Sequence, residues 1–292
     1  MGRQPGAVIY GEDVLARPGD TVILSAILAR DIPPYLGKRI SGAVVNFFAG
    51  SERIGVSITD DVGIASIKFK LPDEQTEDIL ITCILNEADK YLADAGTIYL
   101  AVSEESAPVL ITDIDLTIAD ITSFQFLITR NRNTPPMPGA SEALTRLSEQ
   151  YRIVYLTARE DILTNRTKEW LSMNGFPPGP LIARSMRNDR LAIKRYKTRK
   201  VSEIKSLFPN TQIGVGDKKS DCIAYLRSGL VAFFIGSSPE KAPKGAIAVE
   251  NWTEIYEIIQ SEYSDFRPQG AKNNNSDEWQ SNMKNEQEKV DE

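Results

Sequence analysis

The first part of the chain alternates. Val22, Leu24, Ala26 and Leu28 are interleaved with Ile23, Ser25 and Ile27, and Ala65, Ile67, Phe69 and Leu71 with Ile64, Ser66, Lys68 and Lys70. A period of two is the mark of a strand with one buried face. Further short apolar runs lie at 43–48, 53–58, 79–85 and 96–102. Turn chemistry separates them: Arg17-Pro18-Gly19-Asp20, Ala49-Gly50-Ser51, Asp60-Asp61-Val62-Gly63 and Pro72-Asp73-Glu74. About seven short strands in such a length predict a β-sandwich.

After residue 103 the rhythm changes to alternating strands and helices. Strands are expected at 109–113, 152–156, 181–183, 212–215 and 231–235, and helices at 140–150, 161–174, 198–208, 218–227 and 252–261. Such a pattern predicts a three-layer α/β domain with a mostly parallel sheet, whose sites form where strand carboxyl ends meet loops. The expected organisation is an all-β sandwich at 1–103, a linker at 104–108, the α/β domain at 109–263 and a polar, disordered tail at 264–292.

Composition narrows the chemistry. The 292 residues include no histidine and two cysteines, Cys83 and Cys222. A Ser-His-Asp triad, a Cys-His dyad, a His-ligated zinc and a histidine general base are all excluded. Neither cysteine is followed six residues later by arginine, so a Cys-x5-Arg phosphatase loop is excluded too. Any catalysis must rest on carboxylates, hydroxyls, Lys or Arg and a hard cation. The formal net charge of -6 argues against broad nucleic-acid binding. No signal peptide and no apolar run long enough to span a bilayer is visible, so a soluble cytoplasmic protein is expected.

Four segments carry candidate chemistry. The run Val109-Leu110-Ile111-Thr112-Asp113-Ile114-Asp115-Leu116-Thr117 puts two carboxylates at the end of an apolar strand; aspartate-capped turns would look similar. Val154-Tyr155-Leu156 leads into Thr157-Ala158-Arg159, where the threonine could equally cap the next helix. Lys194, Arg195, Lys197, Arg199 and Lys200 form a basic run whose ordinary explanation is a solvated face. Ile213-Gly214-Val215-Gly216-Asp217 is followed by Asp221 at a helix start, where carboxylates also serve as caps.

In this order, on successive strands, the four segments resemble the haloacid dehalogenase (HAD) superfamily phosphohydrolases over about residues 108–260. Within that superfamily the chain is most similar to the lipin/LNS2 branch, through Asp113–Thr117, Thr157-Ala158-Arg159, Tyr196-Lys197 and Ile204-Lys205-Ser206-Leu207-Phe208. The N-terminal part resembles bacterial immunoglobulin-like modules in strand pattern.

The resemblance implies roles for these positions. Asp113 is then the nucleophile and a magnesium ligand, and Asp115 the general acid/base, its carbonyl also on Mg2+. Thr117 orders the loop, and Thr157 and Ala158 bind the phosphoryl group. Lys197 neutralises charge there, with Lys194 and Lys200 as rivals. Asp217 completes the metal site, with Asp221 as a further ligand or its anchor. The family often has glycine where this chain has Leu116. Arg159 is left open between substrate phosphate and Asp161. Trp170 and Cys222 read as core.

The segments after Thr117 and between Thr157 and Lys197 are too short for a cap domain, with 118–129 expected as a β-flap. A capless, open site suits a large or surface-presented phosphomonoester: phosphatidate, a phosphoprotein or a nucleic-acid end. The N-terminal module is a candidate surrogate cap. The basic residues from Arg184 through Arg187 and Arg190 to Lys200 offer peripheral contact with anionic lipid or a nucleic-acid backbone. Two other function classes stand beside the enzyme: an LNS2-type phosphatidate sensor, and an adhesion or scaffold protein led by the sandwich. Oligomeric state is not legible.

Overall fold

The computed structural model describes residues 5–31, 37–87, 89–185, 193–236 and 238–263. The tail expected at 264–292, together with Arg187, Arg190 and the side chain of Lys194, lies outside the described residues.

The N-terminal part contains β1 (Ala7–Glu12), β2 (Val14–Ala16), β3 (Thr21–Arg30), β4 (Val44–Ala49), β5 (Glu52–Ile58), β6 (Ile64–Lys70), β7 (Ile79–Leu85) and β8 (Gly96–Val102). They form a three-stranded sheet, β1-β3-β6, and a five-stranded sheet, β2-β8-β7-β4-β5. All pairs are antiparallel except β2 with β8. Leu24, Val45, Phe47, Ile81, Ile98 and Leu100 close the core between the sheets, as alternation at period two requires. The strands β1 and β2 had no expected counterpart.

The second part is an α/β unit with β9 (Val109–Thr112), α1 (Ser123–Ile128), α2 (Ala140–Ser148), β10 (Arg152–Glu160), α3 (Thr164–Met173), β11 (Leu181–Arg184), α4 (Ile193–Leu207), β12 (Thr211–Gly216), α5 (Lys219–Arg227), β13 (Val231–Ile235), β14 (Ile247–Val249) and α6 (Trp252–Glu262). The sheet runs β11-β10-β9-β12-β13-β14, and every pair is parallel. Neighbouring strand residues face opposite sides, so β9 feeds two cores. Leu110 packs with Leu144, Leu147, Trp170, Trp252 and Ile255 from α2, α3 and α6. Val109 and Ile111 pack with Tyr196, Val201, Ile204 and Tyr225 from α4 and α5. The expected three-layer architecture is therefore present.

Two local expectations fail. Residues 118–129 do not form a β-flap: 123–128 are helix α1. Thr122 and Gln125 make a reciprocal capping box and Phe126 is buried on the inner face, which together favour a helical turn. The helix expected from residue 198 starts at Ile193 instead. The basic run therefore belongs to its first turns.

The sandwich meets the α/β part along β1, α3 and β11. Buried Asp13 accepts from the Leu181 N–H at 2.9 Å and from the Lys168 ammonium. Arg152 Nη1 lies 2.6 Å from Asp78 Oδ2, and Arg39 pairs with Asp161. Among the described residues, no hydrogen bond or ion pair joins the sandwich to the acidic residues at the end of β9 or β12. The surrogate-cap expectation thus gains no contact in its favour.

Candidate active site

Strand β9 ends at Thr112, and the next residues sit at the carboxyl edge of the sheet. The Asp113 N–H donates to the Val215 carbonyl of β12 at 2.9 Å, which fixes Asp113 beside the end of that strand. Asp113, Asp115 and Thr117 are all buried. Between the last two, Leu116 has φ +57°, the left-handed region that costs a branched-chain residue about 1–2 kcal/mol. Glycine would adopt it freely.

Lys197 is one turn into α4 and buried. Its Nζ lies 2.7 Å from Asp113 Oδ2 and 2.8 Å from Asp221 Oδ2. Lys200 turns away, to Glu203 at 3.0 Å. Asp221 comes from the first turn of α5 but does not cap it; Lys218 is the N-cap residue and makes no side-chain cap bond. Asp217 follows β12, and among the described residues its buried Oδ1 has no hydrogen-bond partner.

Carboxylate oxygens of Asp113, Asp217 and Asp221 all lie within 4.8 Å of one another. Burial raises the Asp113 carboxyl, yet the Lys197 ammonium together with hydrogen bonds from Asp221 and the Ile114 N–H holds it below the ordinary carboxylate value. Burial pushes Asp217 up to about 6 and Asp221 up to about 7, the latter against the pull of Lys197. Three carboxylates against one ammonium leave an acidic excess, and an orphaned oxygen points to a missing electropositive partner. Both fit a hard divalent cation held by oxygens.

Asp115 faces elsewhere. Its Oδ1 accepts from Arg159 Nε at 3.0 Å and Nη2 at 2.8 Å, and Ser123 Oγ donates to its Oδ2. Arg159 therefore pairs with Asp115, not with Asp161 as one expectation had it; Asp161 is taken by Arg39. The guanidinium lies over the Phe126 ring, 3.6 Å from its centroid, and 5.9 Å from that of Trp170. Thr157 is fully buried in β10, and its Oγ1 accepts from the Arg159 N–H at 3.1 Å. It lies inside the strand, four residues before the next helical turn begins, so it is no helix cap. Ala158 is half-buried next to it.

Sequence reasoning missed Ser123 and the true partner of Arg159. The capping box at Thr122 and Gln125 was the available signal for the first; nothing local signals a pairing across 44 residues.

Residues 110–232 match the family model described as PITM 1-3, LNS2 domain. This segment is similar to an LNS2 domain. No curated protein matches the chain. Among solved structures, the D,D-heptose 1.7-bisphosphate phosphatase from B. bronchiseptica, complexed with magnesium and phosphate, is 15% identical with TM-score 0.45, covering 53% of this chain and 99% of that one. A haloacid dehalogenase-like hydrolase from Streptococcus pneumoniae is 14% identical with TM-score 0.40, covering 53% and 99%. Fibronectin(III)-like modules of Clostridium thermocellum CbhA are 13% identical with TM-score 0.23, covering 34% and 96%. These likenesses concern shape and bear on no residue role. The matched segment contains all of the acidic cluster, Lys197 and Arg159.

Proposed function

We propose that this chain is a Mg2+-dependent HAD-type phosphomonoesterase working through an aspartyl-phosphate. The observation that carries this reading is the buried Asp113–Lys197–Asp221 chain of ion pairs beside the orphaned Asp217 Oδ1. Asp113, Asp217 and the Asp115 carbonyl would hold the cation, with Asp221 as a fourth ligand or as the anchor of Lys197. Bound there, the cation would neutralise phosphoryl charge.

The chain's own residues supply the rest. Asp113 is held anionic, so one of its oxygens can attack phosphorus without a base. The P–O bond to the leaving alcohol breaks, and Asp115 gives that oxygen its proton. Asp115, now ionised, takes a proton from water, whose oxygen attacks the phosphorus of the aspartyl-phosphate. Inorganic phosphate leaves, Asp113 is regenerated and Asp115 is again protonated. Lys197 screens the charge between Asp113 and the phosphoryl oxygens, and Thr157 and Ala158 would contact the latter. Short connections after β9 and β10 favour a phosphomonoester presented at a surface, with phosphatidate the first candidate.

One observation favours a second reading. Both Asp115 oxygens are engaged, one by the Arg159 guanidinium and one by the Ser123 hydroxyl, so neither is free to meet a leaving oxygen. A domain resting in that arrangement would bind a phosphomonoester without cleaving it, as a phosphatidate sensor. A Mg2+-dependent phosphate-release screen over phosphatidate vesicles, phosphopeptides and 3′- or 5′-phosphorylated oligonucleotides separates the two. Wild type should release phosphate from at least one class, and Asp113→Asn from none. Vesicle binding without release by wild type would leave the sensor.

A further inference from the structure

Helix α1 has two unlike faces. Inward, Phe126 is buried under the Arg159 guanidinium, and Ser123 at its first position donates to Asp115. Outward, Phe124 is 72% exposed and Ile128 69% exposed. Residues four apart stack on one helix face. Single exposed apolar side chains are ordinary, but two large ones stacked on so short a helix, beside the acidic residues, form a patch.

The stretch of sequence that carries this patch is opposite in sign to the whole chain. The whole chain carries -6, yet no acidic residue occurs between Asp120 and Glu142. Arg130 and Arg132 follow α1 directly, and both are exposed. Among the described residues, neither guanidinium has an ion-pair partner. The turn that carries them is anchored: Asn131 Nδ2 donates to the Arg166 carbonyl at 2.9 Å and to Glu169 Oε2 at 2.7 Å. The α1 segment follows the carboxyl end of β9, and parallel topology puts Arg184 and the basic start of α4 at the same end of the sheet.

We propose that α1 and the turn after it dock the protein on an anionic lipid surface. Phe124 and Ile128 enter the boundary between head groups and acyl chains, and Arg130 and Arg132 meet lipid phosphates. Apolar insertion and charge act together here, since either alone gives weak, reversible binding. The docking itself needs no catalysis. Its consequence, delivery of a membrane-borne phosphomonoester to Asp113, rests on the phosphatase reading. Because Ser123 and Phe126 belong to the same helix, the surface that seats α1 also steadies Asp115 and Arg159.

The test is flotation of the full chain with phosphatidylcholine vesicles, with and without phosphatidylserine, which is no phosphomonoester. Wild type and Asp113→Asn should bind the anionic vesicles alike, so failed docking and failed catalysis are told apart. F124S/I128S should weaken partitioning roughly a hundredfold. R130Q/R132Q should weaken it about tenfold or more and flatten its salt dependence. A melting temperature unchanged from wild type establishes that each variant is folded. Phe124→Trp should show blue-shifted emission on anionic vesicles only. No flotation of wild type, or equal flotation of F124S/I128S, overturns the proposal. So does a dimer of the free chain that F124S/I128S abolishes, which would assign the patch to a second copy.

Discussion

Asp115 and Arg159 are 44 residues apart in the chain but form one buried ion pair, with the guanidinium over the Phe126 ring. Removing one partner of such a pair costs about 3–5 kcal/mol, because the other charge stays buried. Arg159→Met should therefore lower unfolding free energy by about that amount in urea titration, and adding Asp115→Asn should recover much of it. Equal midpoints for Arg159→Met and wild type would show the pair to be weak.

The acidic cluster makes a separate prediction at this scale. In the cation-free chain, burial raises Asp221 to about 7 from an ordinary 3.8. The stability this contributes is complete below the ordinary value and is lost as pH climbs through about 7. A cation needs the deprotonated carboxylates, so its affinity should rise across the same window. Mg2+ should raise the melting temperature more at pH about 8 than at about 5. An equal gain at both would remove Asp217 and Asp221 from the cation site.

At this scale Asp113, Asp217 and Lys197 were legible as types at a spacing. Lys194 and Lys200 stood as rivals to Lys197, because the choice among them depends on where α4 begins and how it is turned.

At the scale of elements, strands were easier to read than helix starts. A buried strand such as β13 announces itself by an unbroken apolar run between turns. The start of α4 was hidden because Ile193–Lys197 is mostly basic, and its apolar stripe becomes visible only with Tyr196 and Val201. The short β14 escaped because three residues after a turn carry too little pattern.

Packing of β12 on α5 gives the element-scale prediction. A Cβ built on Gly214 would lie 2.2 Å from Tyr225 Cγ, and Tyr225 is itself fully buried with its hydroxyl donating to the Val215 carbonyl at 3.2 Å. The ring cannot yield without losing that bond. Gly214→Ala should destabilise by about 1–3 kcal/mol. It should also shift α5 and so loosen Asp221 from Lys197, which raises the Mg2+ concentration needed for half-maximal stabilisation. Unchanged melting and unchanged cation response would mean that the strand and helix separate without cost.

At the scale of the whole molecule, the sandwich and the α/β part meet through polar pairs that neither sequence pattern could reveal. Asp13, between β1 and β2, accepts from the Tyr99 N–H at 2.7 Å, the Leu181 N–H at 2.9 Å and the Lys168 ammonium. Two of those donors belong to the α/β part and one to the sandwich. Burial raises the Asp13 carboxyl even against Lys168, so the site is poorly hydrated. Loss of the carboxylate leaves a lysine and two N–H groups without their acceptor, an effect of about 3–5 kcal/mol concentrated at the junction. In the wild type this coupling should make heat unfolding a single calorimetric transition. In Asp13→Ala the transition should fall in temperature and divide in two, since each part retains its own core. Arg152→Met, which removes the Asp78 pair at the other end of the same junction, should act in the same direction. One undivided transition at the wild-type temperature in both variants would mean that apolar contact alone joins the two parts.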